Sequence, residues 1–395
     1  MEYPKIIIKP GKERSLQNFH PWLFSGAIQS VQGKPEEGDI VEVYSSKNNY
    51  LATGHCHDGS ISVRVFSFIQ QEINEVFWKI KIENAYRRRE ILGFVNNPKT
   101  NVYRLIHAEG DDMPGLIVDI YNSTAVIQTH TVGMFEIRGI IANAIVEVYG
   151  GKIKAVFDKS AETMAKQIKE ELNNFYLVGE RIDEPVMENG LTFKVDWEAG
   201  QKTGFFIDQR DNRQLLSSFT KDKKVLNAFA YSGGFSVYAL AGGASLVHSV
   251  DSSQKAMEWA QTNVQSNYPN TDKHETFSED VFDYLKKMEM DYDVVILDPP
   301  AFAKHLSSVD KATIGYRNLN YEALWKMKNG TILFTFSCSQ VIDRTLFRKI
   351  IFMSALQARK KVRILHQLTQ PADHPINIYH PEGEYLKGLV LLVED

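Results

Sequence analysis

Short runs in which apolar and polar residues alternate fill the start of the chain: KIIIKP, GDIVEVYSS, YLATGHCHDG and SISVRVFSF. A period of two places every second side chain on one face of a strand, and the Gly, Asn and Asp residues between the runs mark turns. Residues 1–72 are therefore expected to form a small β-barrel or sandwich. Between the first two runs, FHPWLFSGAI carries Phe19, Trp22 and Phe24 beside a proline, expected as core packing around a turn. The spacing then widens. NEVFWKIKIENAYRRREILGF sets Val76, Ile80, Ala85, Ile91 and Leu92 at loosely helical intervals and carries the basic run Arg87, Arg88, Arg89. VYRLIHAEGDDMPGLIVDIYNSTAVIQTH reads as a strand, a Gly/Asp/Pro turn and two further strands. GMFEIRGIIANAIVEVY reads as a helix and KAVFDKS as another strand. These segments predict an α+β domain over residues 73–184.

From residue 185 apolar strands alternate with helix-length segments: LTFKVDW, FIDQRDNRQLLSSF, KKVLNAFA, GGFSVYALAGG, SLVHSVD, SQKAMEWAQTNVQSN, DYDVVILDPP, GTILFTFS. Such alternation predicts a mostly parallel sheet with helices on both faces, a doubly wound, Rossmann-like α/β domain over residues 185–395. Within it, VLNAFAYSGGFSVYALAGG is a strand, a tight turn at Gly233 and Gly234, and a helix start. A ligand can approach the backbone at such a turn, on the carboxyl edge of the sheet. The motif is neither GxGxxG nor a P-loop. The next strand ends in Asp251, placed to hold ribose hydroxyls as in dinucleotide folds. Asp280 follows in SEDVFDYL, and Asp298 tips the apolar strand VVILDPPAF, where Pro299 and Pro300 stiffen the turn. Each acid alone is a common strand-end carboxylate or helix cap; three in succession after a glycine turn point to a nucleoside cofactor.

Composition narrows the class. The 395 residues are 43% hydrophobic and 24% charged, as in globular proteins with two or three domains. No apolar run approaches the roughly 20 residues that span a bilayer, and no secretory signal precedes the first strand. Two distant cysteines give no disulfide framework, which fits the cytosol. A net charge of −4 confines any nucleic-acid surface to local patches. His55, Cys56 and His57 are consecutive, and neighbouring strand side chains point to opposite faces, so no metal is expected there.

The segments NAFAYSGGFS, SVD, SED and LDPPAF resemble those of class I S-adenosylmethionine (SAM) methyltransferases. The whole chain is similar to a narrower group, the bacterial large-subunit rRNA cytosine-C5 methyltransferases with an N-terminal PUA domain and a central EEHEE domain. HPWLFSGAI, RLIHAEGDDMPGLIVD, GQKTGFFIDQRDNR and DHPINIYHPEGEYLKG carry that likeness. The resemblance implies a SAM site in which GQKTGFFIDQR, with Gln201, Thr203, Asp208, Gln209 and Arg210, covers the cofactor. Asn227, Phe229, Tyr231 and Gly233 would form the turn beneath it. Asp251 with Ser252 would take the ribose, Asp280 with Val281 the adenine, and Asp298 the boundary with the target base. Two departures stand out: the tripeptide after Asp298 holds no cysteine, where many RNA cytosine-C5 methyltransferases outside this group have a Pro-Cys pair, and GHCHDGS is unusual for the group.

Cytosine C5 is a poor nucleophile, so its methylation calls for a thiolate that adds to C6 and makes C5 enamine-like. Cys338, in LFTFSCSQVI, follows a strand expected beside the one ending at Asp298, and the resemblance puts the nucleophile there; a lone Cys after an apolar strand is otherwise a small buried hydrophobe. An amine-directed rRNA methyltransferase acting at guanine N2 or adenine N6 would need only the DPPAF turn, with Phe302 stacking the base. A third alternative is an RNA-binding assembly factor with a vestigial cofactor fold. The target base must be unpaired or flipped out. Candidate RNA contacts are Pro299, Pro300, Phe302, Lys304 and the run Arg87, Arg88, Arg89, with Arg359, Lys360, Lys361 and Arg363 as a second basic cluster. The implied partner is large-subunit rRNA or its assembly precursor; no membrane is implied, and a homodimer is left open.

Overall fold

The computed structural model describes residues 3–287, 289, 291–303 and 305–394. The chain forms two compact units. The first comprises residues 1–187, 195–207 and 372–383, the second residues 188–194, 208–371 and 384–395. Barrel and central domain thus share one unit, and three stretches expected in the catalytic domain, 185–187, 195–207 and 372–383, also belong to it.

In the first unit, β1 (Lys5–Ile8), α1 (Arg14–Gln17), β2 (Trp22–Phe24), β3 (Ile28–Gln32), β4 (Ile40–Tyr44), β5 (Tyr50–Cys56) and β6 (Ile61–Ser67) give a six-stranded sheet of order β2-β6-β5-β4-β1-β3. Ile6, Ile8, Leu23, Val41, Val43, Val63 and Val65 form its core. Phe19 and Phe24 are about half exposed, at 48% and 45%, which corrects their expected place in the core. The reason is topological: β2 is a three-residue edge strand, and its aromatics pack beside one another on the rim. His55 is buried against Phe66 and Trp78, and burial lowers its pKa to about 4. His57 instead pairs with Glu37.

The next helix is α2 (Glu75–Ile91), capped by the Asn74 side chain, which accepts from the Phe77 N–H at 3.1 Å, and ended before Gly93 at φ 77°. Its buried face is Phe77, Trp78, Ile82, Ala85 and Arg89, while Val76, Ile80, Ile91 and Leu92 are exposed. The large aromatics Phe77 and Trp78 decide which face turns inward, so of the five residues expected along the apolar stripe only Ala85 lies on it. Arg89 is fully buried: its guanidinium grips Asp111 through two hydrogen bonds of 2.8 and 2.5 Å and reaches the carbonyls of Arg104 and Asp373. This withdraws Arg89 from any RNA surface and corrects its expected role. Arg88, partly exposed, is paired to Asp111 and Asp112; Arg87 is exposed.

The remaining elements of this region are β7 (Val102–His107), β8 (Leu116–Tyr121), β9 (Thr124–Thr129), α3 (Val132–Glu136), α4 (Arg138–Val148), β10 (Ala155–Asp158), α5 (Ala161–Met164) and β11 (Phe175–Val178). Their sheet runs β11-β10-β9-β8-β7, and α2 and α4 contribute Ile82, Ala85, Ile141 and Ile145 to its core. A two-stranded ribbon follows, β12 (Val186–Glu188) and β13 (Leu191–Phe193).

The second unit alternates: α6 (Arg210–Leu216), β14 (Lys224–Ala228), α7 (Gly234–Ala241), β15 (Leu246–Asp251), α8 (Gln254–Asn267), β16 (His274–Ser278), α9 (Val281–Lys287), β17 (Val294–Leu297), α10 (Val309–Lys326), β18 (Ile332–Ser337), α11 (Arg344–Gln357), β19 (Lys361–Leu368) and β20 (Lys387–Glu394). The sheet order is β16-β15-β14-β17-β18-β20-β19. The first five are parallel, and β20 runs antiparallel between β18 and β19. Both faces are covered by apolar layers, which is why β17 and β18 read as unbroken hydrophobic runs. The strand order reverses between β14 and β17, the point at which ligands bind outside the carboxyl ends of such sheets. Gly388 is required where β20 crosses β18, since a Cβ there would lie 2.5 Å from the Phe336 ring.

Candidate active site

The candidate site lies at that reversal. The turn after β14 runs through Phe229, Tyr231 and Gly233 at φ 60°, 46° and 76°. Left-handed backbone at two non-glycine residues carries strain that only a constraining environment sustains. Asp251, at the end of β15, supplies part of the constraint: one carboxylate oxygen accepts from the Tyr231 N–H and the other from the Ser253 N–H, each at 3.0 Å. Asn227 is buried, its amide N–H₂ donating to the Ser236 hydroxyl at 2.8 Å, while its Oδ1 has no hydrogen-bond partner among the described residues. A buried acceptor without a donor beneath a strained glycine turn fits a ligand that brings one. Ser252 is exposed beside Asp251. Asp280 caps α9, accepting from the Phe282 and Asp283 N–H groups with the same oxygen, and Val281 is buried behind it. These residues suit a nucleoside with a ribose and a hydrogen-bonding base, so the SAM site expected from sequence has residues that fit it.

Asp298 follows β17 and is partly buried. Burial, then the neighbouring Asp208 carboxylate, push its pKa up to about 7, against a hydrogen bond from Gln209 and the more distant Arg213. At neutral pH it therefore divides between acid and carboxylate and can deliver a proton. Asp208 accepts a 2.7 Å hydrogen bond from the Tyr385 hydroxyl. Below them Glu188 is fully buried, held by Arg213 through bonds of 2.9 and 2.8 Å, with Arg210 at 3.6 Å. Gln201 and Thr203 belong to the first unit. Gln201 is exposed, whereas the Thr203 hydroxyl is buried and donates to Asp119 at 2.6 Å. That bond removes the Thr203 side chain from contact with a ligand, contrary to expectation.

β18 pairs with β17 in parallel register, Leu297 opposite Thr335. Cys338, one residue past β18, therefore meets the DPP turn: its Sγ lies 3.8 Å from the Pro299 carbonyl oxygen and keeps some exposure. Pro300 is exposed. The Phe302 ring packs on Tyr316 at 4.5 Å between centroids, in space left by Gly315, where a Cβ would come within 2.9 Å of it. Lys304 lies outside the described residues. The Tyr316 hydroxyl is 2.9 Å from the Ser339 hydroxyl, which also accepts from the Ala303 N–H, so one bonded group ties both sides of the thiol loop together. Tyr316, Tyr385 and Lys387 were not singled out in the sequence. The signal available for the last is a lone cation in the otherwise apolar LKGLVLLV.

Residues 6–68 match the family of PUA-like domains, and residues 163–372, more than half of the chain, match the S-adenosylmethionine-dependent methyltransferase family. The ribosomal RNA large subunit methyltransferase I of Pseudoalteromonas translucida is 37% identical, over 98% of this chain and 99% of its own length. Its counterpart in Aeromonas salmonicida is 38% identical over 98% of both chains. Among solved structures, a methyltransferase in complex with SAH superposes with a TM-score of 0.85 at 23% identity, covering 99% of this chain and 100% of its own. A chain described as a SAM-dependent methyltransferase from Streptococcus mutans gives 0.84 at 22% identity, with the same coverage. At such identities the likeness is one of fold. The full-length relatives and the matched domains identify the chain as a SAM-dependent methyltransferase of the ribosomal RNA large subunit methyltransferase I family.

Proposed function

We propose that this enzyme methylates C5 of a cytosine in large-subunit rRNA, or in its assembly precursor, through a covalent bond between Cys338 and C6. The observation that carries this reading is the thiol's position, at the end of β18 and 3.8 Å from the Pro299 carbonyl of the DPP turn. When bound, SAM supplies the electrophilic methyl group that an activated C5 attacks. The Cys338 thiolate adds to C6, and the C5–C6 π electrons shift toward N3. Asp298, poised near neutrality, donates a proton at N3 as negative charge develops there. Loss of the C5 proton to a base lets the S–C6 bond break, and Asp298 recovers its proton as aromaticity returns. Phe302 borders the base on the far side of the turn. Arg87 and the PUA-like barrel are RNA contacts in this reading, and the cytosol is its setting; no helix among the described residues is long and apolar enough to cross a membrane.

An amine-directed enzyme would use the Asp298 carboxylate and the Pro299 carbonyl to grip an exocyclic amine. That carbonyl here faces a thiol, which such chemistry does not need. Mass spectrometry of rRNA from a strain lacking the gene tests the reading: loss of one 5-methylcytosine supports it, and loss of a methylated amine in its place overturns it.

A further inference from the structure

A cysteine of ordinary pKa, about 8.5, is mostly the unreactive thiol at neutral pH. The carboxylates around Asp298 would favour that form, so a cationic partner is needed. Strand β20 provides one. In its antiparallel register with β18, Lys387 stands opposite Ser337, the residue before Cys338. Its side chain is buried, 2% exposed, and its Nζ donates to the carbonyl of Ser339, the residue after Cys338, at 2.7 Å, and to the Tyr385 carbonyl at 2.6 Å. Lys387 thus pairs through its backbone with the residue before the thiol, and its ammonium bonds to the residue after it.

Lys387's two acceptors are uncharged carbonyls. Burial pushes its pKa down to about 8, and the charge that most favours its protonated form is Cys338, ahead of Glu384 and Asp343; Arg344 opposes. Interaction between two titrating groups is reciprocal: whatever favours the ammonium beside a thiolate favours the thiolate beside an ammonium. On the other side of the loop, Tyr316 is buried, with its pKa raised mainly by desolvation, so it faces Cys338 as a neutral phenol. Glu384, Asp343, Arg344 and Tyr316 thus surround Lys387 and Cys338, and among the described residues Lys387 is the cation bonded to the thiol's own loop.

We propose that Lys387 is the positioning residue that holds Cys338 as its thiolate, acting across the β18–β20 ladder. This rests on the cysteine-based reading of the reaction, and it concerns only the charge state of the sulfur: the S–H proton leaves to solvent before attack, and no bond to Lys387 forms.

The test follows iodoacetamide alkylation of Cys338 against pH in a Cys56→Ser background, where it is the single thiol. The expected midpoint lies below that of an ordinary cysteine. Lys387→Met should raise it by about one unit, so that alkylation at pH 7 slows about tenfold. Lys387→Arg should keep the low midpoint, because its charge does not titrate. If Lys387→Met is poorly folded by circular dichroism, the Arg variant decides alone: an unchanged or lowered midpoint supports the assignment, and one raised to that of a free cysteine overturns it. Equal midpoints in wild type and a folded Lys387→Met also overturn it. Neither outcome bears on whether Cys338 is the nucleophile, which loss of methyl transfer in Cys338→Ala measures separately.

Discussion

The Cys338 sulfur and the Pro299 carbonyl oxygen lie 3.8 Å apart, so the thiol and the DPP turn share one corner at the carboxyl edge of the sheet. This pairing depends on β17 and β18 being parallel neighbours in the register that sets Leu297 opposite Thr335. Three-layer packing holds the strands in place, and the thiol and the turn come together because both strands end at the same edge.

Asp298 should set the alkaline limb of the pH profile. With a pKa of about 7, its protonated form declines above neutrality, and kcat/KM should fall with it. Asp298→Asn should lower kcat by about a hundredfold or more and abolish that limb. The same shift has a stability consequence. A carboxyl whose folded pKa is raised favours folding below its unfolded pKa of about 4 and loses that contribution as pH rises through 7. Asp298→Asn should therefore unfold at a higher temperature than wild type at pH 8, with the difference shrinking toward pH 4. A flat difference across that range would contradict the assigned shift.

Asp251 holds the strained turn through the Tyr231 N–H. Asp251→Ala removes a charged acceptor from that amide and, in the proposed site, from the cofactor ribose. Titration calorimetry should show SAM binding weakened by about tenfold or more, the loss of a charge-assisted hydrogen bond worth ~1.5–3 kcal/mol. Unchanged affinity would remove Asp251 from the cofactor site.

The buried Arg89–Asp111 pair predicts a structural phenotype. Truncating Arg89 to Ala leaves the Asp111 carboxylate buried without its bidentate partner, which should destabilise the protein by ~3–5 kcal/mol in chemical denaturation. Arg87→Ala, at an exposed position on the same helix, should change stability by less than about 0.5 kcal/mol. Similar losses for both would contradict the buried assignment.

The two positions show what the sequence could and could not reveal. Apolar runs of β17 and β18, separated by helix-length segments, made a parallel sheet legible, because burial on both faces erases alternation. The inward face of α2 was not legible: apolar residues line both sides of that helix, and the bulk of Phe77 and Trp78 decides between them. Arg89 reads as one of three basic residues until Asp111, 22 positions on, is folded against it. Lys387 is similar, because its meaning lies in the β18–β20 register, a long-range pairing that local spacing does not encode. The aromatics around Trp22 read as core because their rim position follows from β2 being an edge strand.

In the proposed reaction the Cys338 sulfur bonds to C6 of the target cytosine. The most direct measurement is methyl transfer from SAM to large-subunit rRNA lacking the modification, with 5-methylcytosine counted by mass spectrometry for wild type and Cys338→Ala. The wild-type enzyme should form one 5-methylcytosine, and the variant should fall about a thousandfold or more while its SAM affinity stays within a few-fold of wild type. Activity of Cys338→Ala within a few-fold of wild type, or a methylated exocyclic amine as the product, would contradict the proposed reaction.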